Sequence, residues 1–127
     1  MSTKKVGDIG EKLACEYLVK NGYKVIGKNY RINFGEIDII TKKRGLFADK
    51  TIHFVEVKML KSVRPDTFQQ GGFYPEDHVN FKKRQKLRQL AEIWLSKNKY
   101  PQDIPYQIDV IAVMDEKIDF FENTIAG

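Results

Sequence analysis

Apolar residues near the start of the chain recur at helical spacing. Val6, Ile9, Leu13, Ala14, Tyr17 and Leu18 predict an amphipathic helix over about residues 4–21, with Thr3 or Asp8 as cap and Asn21-Gly22 as stop. Tyr23–Ile32 alternates loosely and reads as a strand, with Asn33-Phe34-Gly35 as the turn after it. Two β-branched runs follow, Gly35–Thr41 and Thr51–Lys58, on either side of a polar connection from Lys42 to Lys50 that contains Gly45, as in a hairpin or short meander. Met59–Pro75 holds Pro65, Gly71, Gly72 and Pro75 without any period, which predicts a long functional or mobile loop. Asn80 is then an N-cap for a second helix. Leu87, Leu90, Ala91, Trp94 and Leu95 form its stripe, and it runs to about Asn98. Pro101 and Pro105 bound a connection to a strand at Tyr106–Val113, and Ile118–Phe121 reads as a short edge strand. The order α-β-β-β-α-β-β predicts an α/β domain with helices sandwiching a mixed sheet.

Against this pattern some charges are misplaced. Residues at i and i+2 share a face of a strand, so Glu36 should point with Asp38, and Glu56 with Lys58. His53, an odd number of residues from Glu56, should face away from it. Ionised groups among residues that want burial cost several kcal/mol unless they are paired, hydrogen-bonded or bound to a metal. Two explanations remain open: a cation held between carboxylates, or a plain buried salt bridge. The Glu-x-Lys spacing itself says nothing, since with 8 Glu and 17 Lys about one such triplet arises by chance. Its context carries the argument. It closes an apolar strand, and Asp38 lies in the middle of the strand before it. A few oxygen ligands open to water suit Mg2+ or Mn2+. Lys58 would then orient or deprotonate a water, or offset developing negative charge.

The second anomaly is Lys82-Lys83-Arg84-Gln85-Lys86-Leu87-Arg88, five basic residues in seven at a helix start. Helix N-termini disfavour cations by roughly 0.3–1 kcal/mol, so a compensating anion such as a phosphate is implied; a solvated basic face is the alternative. A net charge of +5 tilts mildly the same way.

Other features mostly exclude. A chain of 127 residues, 42% apolar and 31% charged, matches one globular domain and excludes a disordered one. A single cysteine, Cys15, rules out a disulfide framework or thiolate zinc cluster and fits a reducing cytoplasm. No signal core or membrane-spanning run is evident, so no membrane association is expected. His53 and His78 show no ligand spacing, Trp94 reads as core, and Glu11 reads as a flank carboxylate beside the first helix's stripe.

Taken together, several segments resemble the uncharacterised bacterial YraN-like family: Gly10-Glu11 with Ala14 and Tyr17-Leu18, Asn29-Tyr30-Arg31, Gly35–Ile40, Phe54–Lys58, Lys82–Leu87, Ile108-Asp109-Val110 and Ile118–Asn123. The resemblance spans essentially the whole chain. It implies the PD-(D/E)xK restriction-endonuclease-like core, with similarity to archaeal Holliday-junction resolvases. By that resemblance Asp38, Glu56 and the Val57 carbonyl hold metal, Lys58 is the motif lysine, and Glu11 lies near the metal. Lys82, Lys83, Arg84, Lys86, Arg88 and Arg31 would contact nucleic acid. The family commonly carries an arginine two residues after the lysine, where this chain has Met59-Leu60. The expectation is a Mg2+- or Mn2+-dependent DNA endonuclease acting on branched or damaged DNA, working as a homodimer if it resolves junctions. The alternatives are a non-catalytic nucleic-acid-binding module on the same fold, and a small interaction protein with a structural Glu56–Lys58 pair.

Overall fold

The computed structural model describes residues 3–60 and 81–125, with side-chain surroundings for residues 7–60 and 82–122. Helix α1 (Thr3–Lys20) is followed by strands β1 (Tyr23–Ile32), β2 (Gly35–Lys43) and β3 (Ile52–Leu60). Helix α2 (Phe81–Lys97) precedes β4 (Tyr106–Met114) and β5 (Lys117–Ile125). The α-β-β-β-α-β-β order is the expected one, and the strands form one mixed five-stranded sheet in the order β1-β2-β3-β4-β5. The β3–β4 pair is parallel and the other three are antiparallel. A parallel neighbour needs a long crossover, and α2 lies in that connection.

Each helix covers one face of the sheet. Ala14 and Leu18 of α1 pack with Tyr23, Ile39, Val55, Ile111 and Val113. Leu87, Leu90, Ala91, Trp94 and Leu95 of α2 pack with Ile37, Ile40, Ile52, Phe54, Ile108 and Val110. Strand β4 lies between covered faces and therefore reads as a nearly unbroken apolar run, buried from Ile108 to Val113.

Several boundaries differ from the expected ones, for local reasons. Asp8 lies inside α1 and is not its cap. Gly35 belongs to β2, opposite Ile32, so the β1–β2 turn is only Asn33-Phe34. A side chain at Gly35 would press on Leu90 at 3.0 Å, so α2 sits close on this strand because the position has none. Pairing carries β2 to Lys43, which shortens the expected polar connection, and β5 runs well beyond Phe121 along β4. Met59 and Leu60 complete β3; the rest of the expected Met59–Pro75 loop, the Asn80 cap and His78 lie outside the described residues.

The pairing that positions the site is incomplete by design of the sheet. Strands β2 and β3 pair only from Ile39↔Val55 to Lys42↔Ile52. Beyond Val55, β3 continues beside β4 as far as Leu60, while β2 before Ile39 continues beside β1. The two strands part like a fork at Asp38 and Glu56.

Candidate functional site

The fork leaves the Val57 amide without a β2 carbonyl, and the Asp38 side chain takes its place: Val57 N–H donates to Asp38 Oδ2 at 2.8 Å. Simple alternation fails here. Ile37 packs on the α2 face and Ile39 on the α1 face, so the side-chain phase changes across Asp38. Asp38, Glu36 and Val57 consequently line two clefts at once. One, of about 510 Å³, lies under α2 and includes Glu56, Lys82, Lys83 and Lys86. The other, also about 510 Å³, lies under α1 and includes Asp8, Glu11 and Arg31.

Electrostatics at the fork are unbalanced. Burial pushes the Asp38 carboxyl up to about 6, helped by the charges of Glu11, Glu56 and Glu36 and opposed by the Val57 hydrogen bond. Glu11 is raised as well, by burial first and then by Asp8. Glu56 Oε1 receives the Lys83 ammonium at 2.5 Å and the Lys58 ammonium at 3.5 Å. Burial and the neighbouring Lys83 lower the Lys58 pKa. Burial opposes the charged form of Lys83 too, but its hydrogen bonds to Glu56 and Lys58 outweigh this and its pKa is raised. A salt bridge at Glu56, the plain alternative from the sequence, is therefore present. It does not satisfy the site, because Glu56 Oε2 and Glu11 Oε1 are both buried without a hydrogen-bond partner. Each orphaned acceptor costs about 1–3 kcal/mol, a cost that a cation coordinated by that oxygen would offset. The hard oxygen donors of Asp38, Glu56 and Glu11 fit Mg2+ or Mn2+ in type, with the Val57 carbonyl on the same strand segment.

Of the six basic residues expected at a nucleic acid, Lys82, Lys83 and Lys86 line the α2 cleft with the carboxylates. Arg31 lies on the α1 side, 74% exposed, with Nη2 and Nε both donating to Glu36 Oε2 at 2.8 and 3.1 Å. Arg84 and Arg88 do not line either cleft, and the Arg88 Nε is buried without a hydrogen-bond partner.

A third group escaped the sequence reading. His53 faces away from Glu56, as expected, and its Nδ1 lies 2.7 Å from Asp109 Oδ2. Asp109 Oδ1 accepts from Gln107 at 2.8 Å, and the Tyr23 ring meets the His53 ring edge-on at 5.2 Å. Among the described residues, His53, Asp109 and Glu122 are the set of three whose ligand atoms come within 4.8 Å of one another. Two of them are fully engaged in the core. Parallel pairing sets Val55 opposite Asp109, so His53 and Asp109 meet only through a register that local sequence does not encode. Among the described residues, acidic groups thus cluster both at the fork and beside His53, and the His53 set is the one whose three ligand atoms lie within 4.8 Å of one another.

The profile of the Uncharacterised protein family UPF0102 matches residues 10–113. The chain belongs to the UPF0102 family. A UPF0102 protein of Thermodesulfovibrio yellowstonii is 44% identical over 123 residues, 97% of each chain. Relatives in Clostridioides difficile and Campylobacter jejuni are 38% and 35% identical, over 97% and 92% of this chain and 98% and 90% of theirs. UPF0102 membership agrees with the YraN-like resemblance of the sequence. Among solved structures, SfsA of Pyrococcus furiosus in complex with Ca2+ aligns at a TM-score of 0.38 and 15% identity, over 95% of this chain and 64% of that one. No helix of the described residues is long and apolar enough to cross a membrane.

Proposed function

We propose that this UPF0102 protein is a metal-dependent DNA endonuclease of the cytoplasm, with branched or damaged DNA as its substrate. The observation that carries the reading is the strand fork. It sets Asp38 and Glu56 in the lysine-lined cleft under α2, with Lys58 beside Glu56 and Glu11 across the fork on the α1 side, and it leaves Glu56 Oε2 and Glu11 Oε1 buried without a hydrogen-bond partner. Mg2+ or Mn2+ bound there would supply Lewis-acid activation of water and neutralise the leaving oxygen. Asp38, Glu56 and the Val57 carbonyl would hold it, with Glu11 reaching in from α1. Lys82, Lys83 and Lys86 would seat the phosphate backbone at the mouth of the cleft. Lys58, whose charged form is disfavoured by burial, is the group suited to take a proton from the attacking water. Junction resolution would require paired cuts, so a two-fold homodimer belongs to this proposal.

Two observations favour a second reading, a non-catalytic nucleic-acid-binding module: Glu56 already has two ammonium partners, and Leu60 stands where the YraN-like resemblance implies an arginine. Cleavage decides between them. Labelled linear duplex, single strand, flap and four-way junction are incubated with Mg2+ or Mn2+ and with EDTA. Metal-dependent cutting that disappears in Lys58→Ala supports the enzyme; intact binding without cutting supports the module.

Lys83 gives a subtler expectation. Its ammonium sits on the carboxylate that the cation needs, so Lys83→Met should tighten Mn2+ binding about three- to tenfold, the worth of one partly exposed charge. The same change should weaken DNA binding. A calorimetric Mn2+ titration showing unchanged or weaker affinity in the variant would mean that Glu56 is not a ligand.

A further inference from the structure

The hairpin between β2 and β3 lies at the opposite end of the sheet from the fork and is not used by the proposed chemistry. Its tip carries Leu46 at 92% and Phe47 at 96% exposure. Two apolar side chains so exposed are set among Lys42, Lys43, Arg44 and Lys50. The tip is pinned: Arg44 N–H donates to the Gly22 carbonyl at 2.8 Å, and Ala48 N–H donates to Gly45 at 3.2 Å. The local acid, Asp49, is folded back, with Oδ1 accepting from the Thr51 amide at 2.8 Å and its hydroxyl at 2.6 Å. Lys24 and Lys42 are direct cross-strand partners, a like-charge pairing that sheets avoid. Lys24, Lys42, Lys43, Arg44, Lys50 and Tyr100 line one cleft of about 640 Å³. Ile52, also in its wall, packs in the α2-face core, so this cleft opens on the same face as the Lys82–Lys86 cleft.

We propose that the β2–β3 hairpin is a second DNA contact, in which the basic cleft holds a phosphate backbone and Phe47, with Leu46, wedges against an unstacked base. The inference rests on the reading that the chain engages DNA, and it adds where and how. Charge selects the occupant. A second copy docked through this patch about a two-fold axis would set five cations against five cations. A membrane would gain only two apolar side chains, with no amphipathic helix to lie in the interface. A polyanion with stackable rings suits both halves of the patch, since cations hold phosphates and apolar wedges enter base steps. Lys43 lies five residue steps along β2 from Asp38, about 17 Å at 3.3 Å per step. At about 3.4 Å per base pair, the hairpin grips DNA roughly five base pairs or more from the scissile phosphate, which favours a substrate distorted at that distance from the cut.

The test is fluorescence anisotropy of the full chain in EDTA, so that binding is read without cleavage, on a 25-base-pair duplex and the same duplex with a central bulge containing 2-aminopurine. Changing Lys42, Lys43, Arg44 and Lys50 to Ala together should weaken binding at least tenfold and flatten the log affinity–log salt slope by about 3–4. Leu46→Ser with Phe47→Ser should leave that slope unchanged, weaken bulged DNA about tenfold, and abolish the 2-aminopurine emission increase. If both variants bind like the parent while Lys82→Ala with Lys86→Ala loses affinity, the hairpin proposal fails and the fork reading stands. If the parent binds none of these DNAs, both fail. Phe47-dependent binding to phosphatidylglycerol vesicles, or a Phe47-dependent dimer in sedimentation, with DNA affinity unchanged by either hairpin variant, would also overturn it.

Discussion

Asp38→Asn is expected to make the protein more stable and inactive at once. In the metal-free protein the Asp38 carboxyl titrates at about 6, against an ordinary value near 3.8. Between roughly pH 4 and pH 6 the unfolded chain has lost this proton and the folded chain keeps it. Stability therefore falls as pH rises through that window and stays lower above it. At about 1.4 kcal/mol per unit, the penalty near pH 8 is about 2–3 kcal/mol. Asparagine keeps an oxygen for the Val57 amide and removes the charge, so the penalty disappears. For a chain of this length that corresponds to a Tm about 7–10 °C higher at pH 8, with little change at pH 4. On the proposed function the same substitution removes one of the carboxylates that would hold the metal, and should lower metal-dependent DNA cleavage about a thousandfold or more. Thermal melts at the two pH values, with and without Mn2+, check both halves. The parent should gain stability from Mn2+ at pH 8 and the variant should not. A variant less stable than the parent at pH 8 would mean that the Asp38 charge is already compensated in the free protein.

Removing Asp109 should have the opposite profile. The carboxylate is completely buried and accepts from both His53 and Gln107. Asp109→Ala strands both donors and leaves a hole, at a cost of about 2–5 kcal/mol, a large share of a marginal total. The melt should fall by about 7–18 °C. Cleavage measured well below that melt, at 15 °C, should persist with its Mn2+ dependence unchanged. This separates the two acidic groups: if the His53–Asp109–Glu122 group were the metal centre, Mn2+ stabilisation would vanish with Asp109 and survive Asp38→Asn.

Much of this molecule was legible in its sequence because burial periodicity is local. The stripe Leu87–Leu95 placed α2, the run Ile52–Val57 placed β3, and the α-β-β-β-α-β-β order followed. The anomaly of charges within apolar strands also pointed to the place where β2 and β3 part, since a carboxylate inside a strand needs a partner whatever the fold. What stayed hidden depends on register. Asp38 meets the Val57 amide because β2 and β3 part after Ile39↔Val55, and nothing in either strand announces where pairing stops. Lys83 reaches Glu56 across the fold, from a helix that packs close on Gly35 through Leu90. The sequence read Lys83 as a phosphate ligand, and in the free protein it also screens the carboxylate that a metal would need. His53 and Asp109 are 56 positions apart, on strands whose parallel pairing is set by the crossover between them. Each residue alone looked like an isolated polar group in an apolar run.

The most direct measurement is an anomalous difference map from crystals of the protein bound to duplex DNA and soaked in Mn2+. The expected result is a peak at the strand fork within about 2.0–2.3 Å of Asp38 and Glu56 oxygens, with a DNA phosphate oxygen completing the coordination. A peak at His53, Asp109 and Glu122 instead, or DNA seated in the lysine cleft with no metal at the fork, would contradict the nuclease reading.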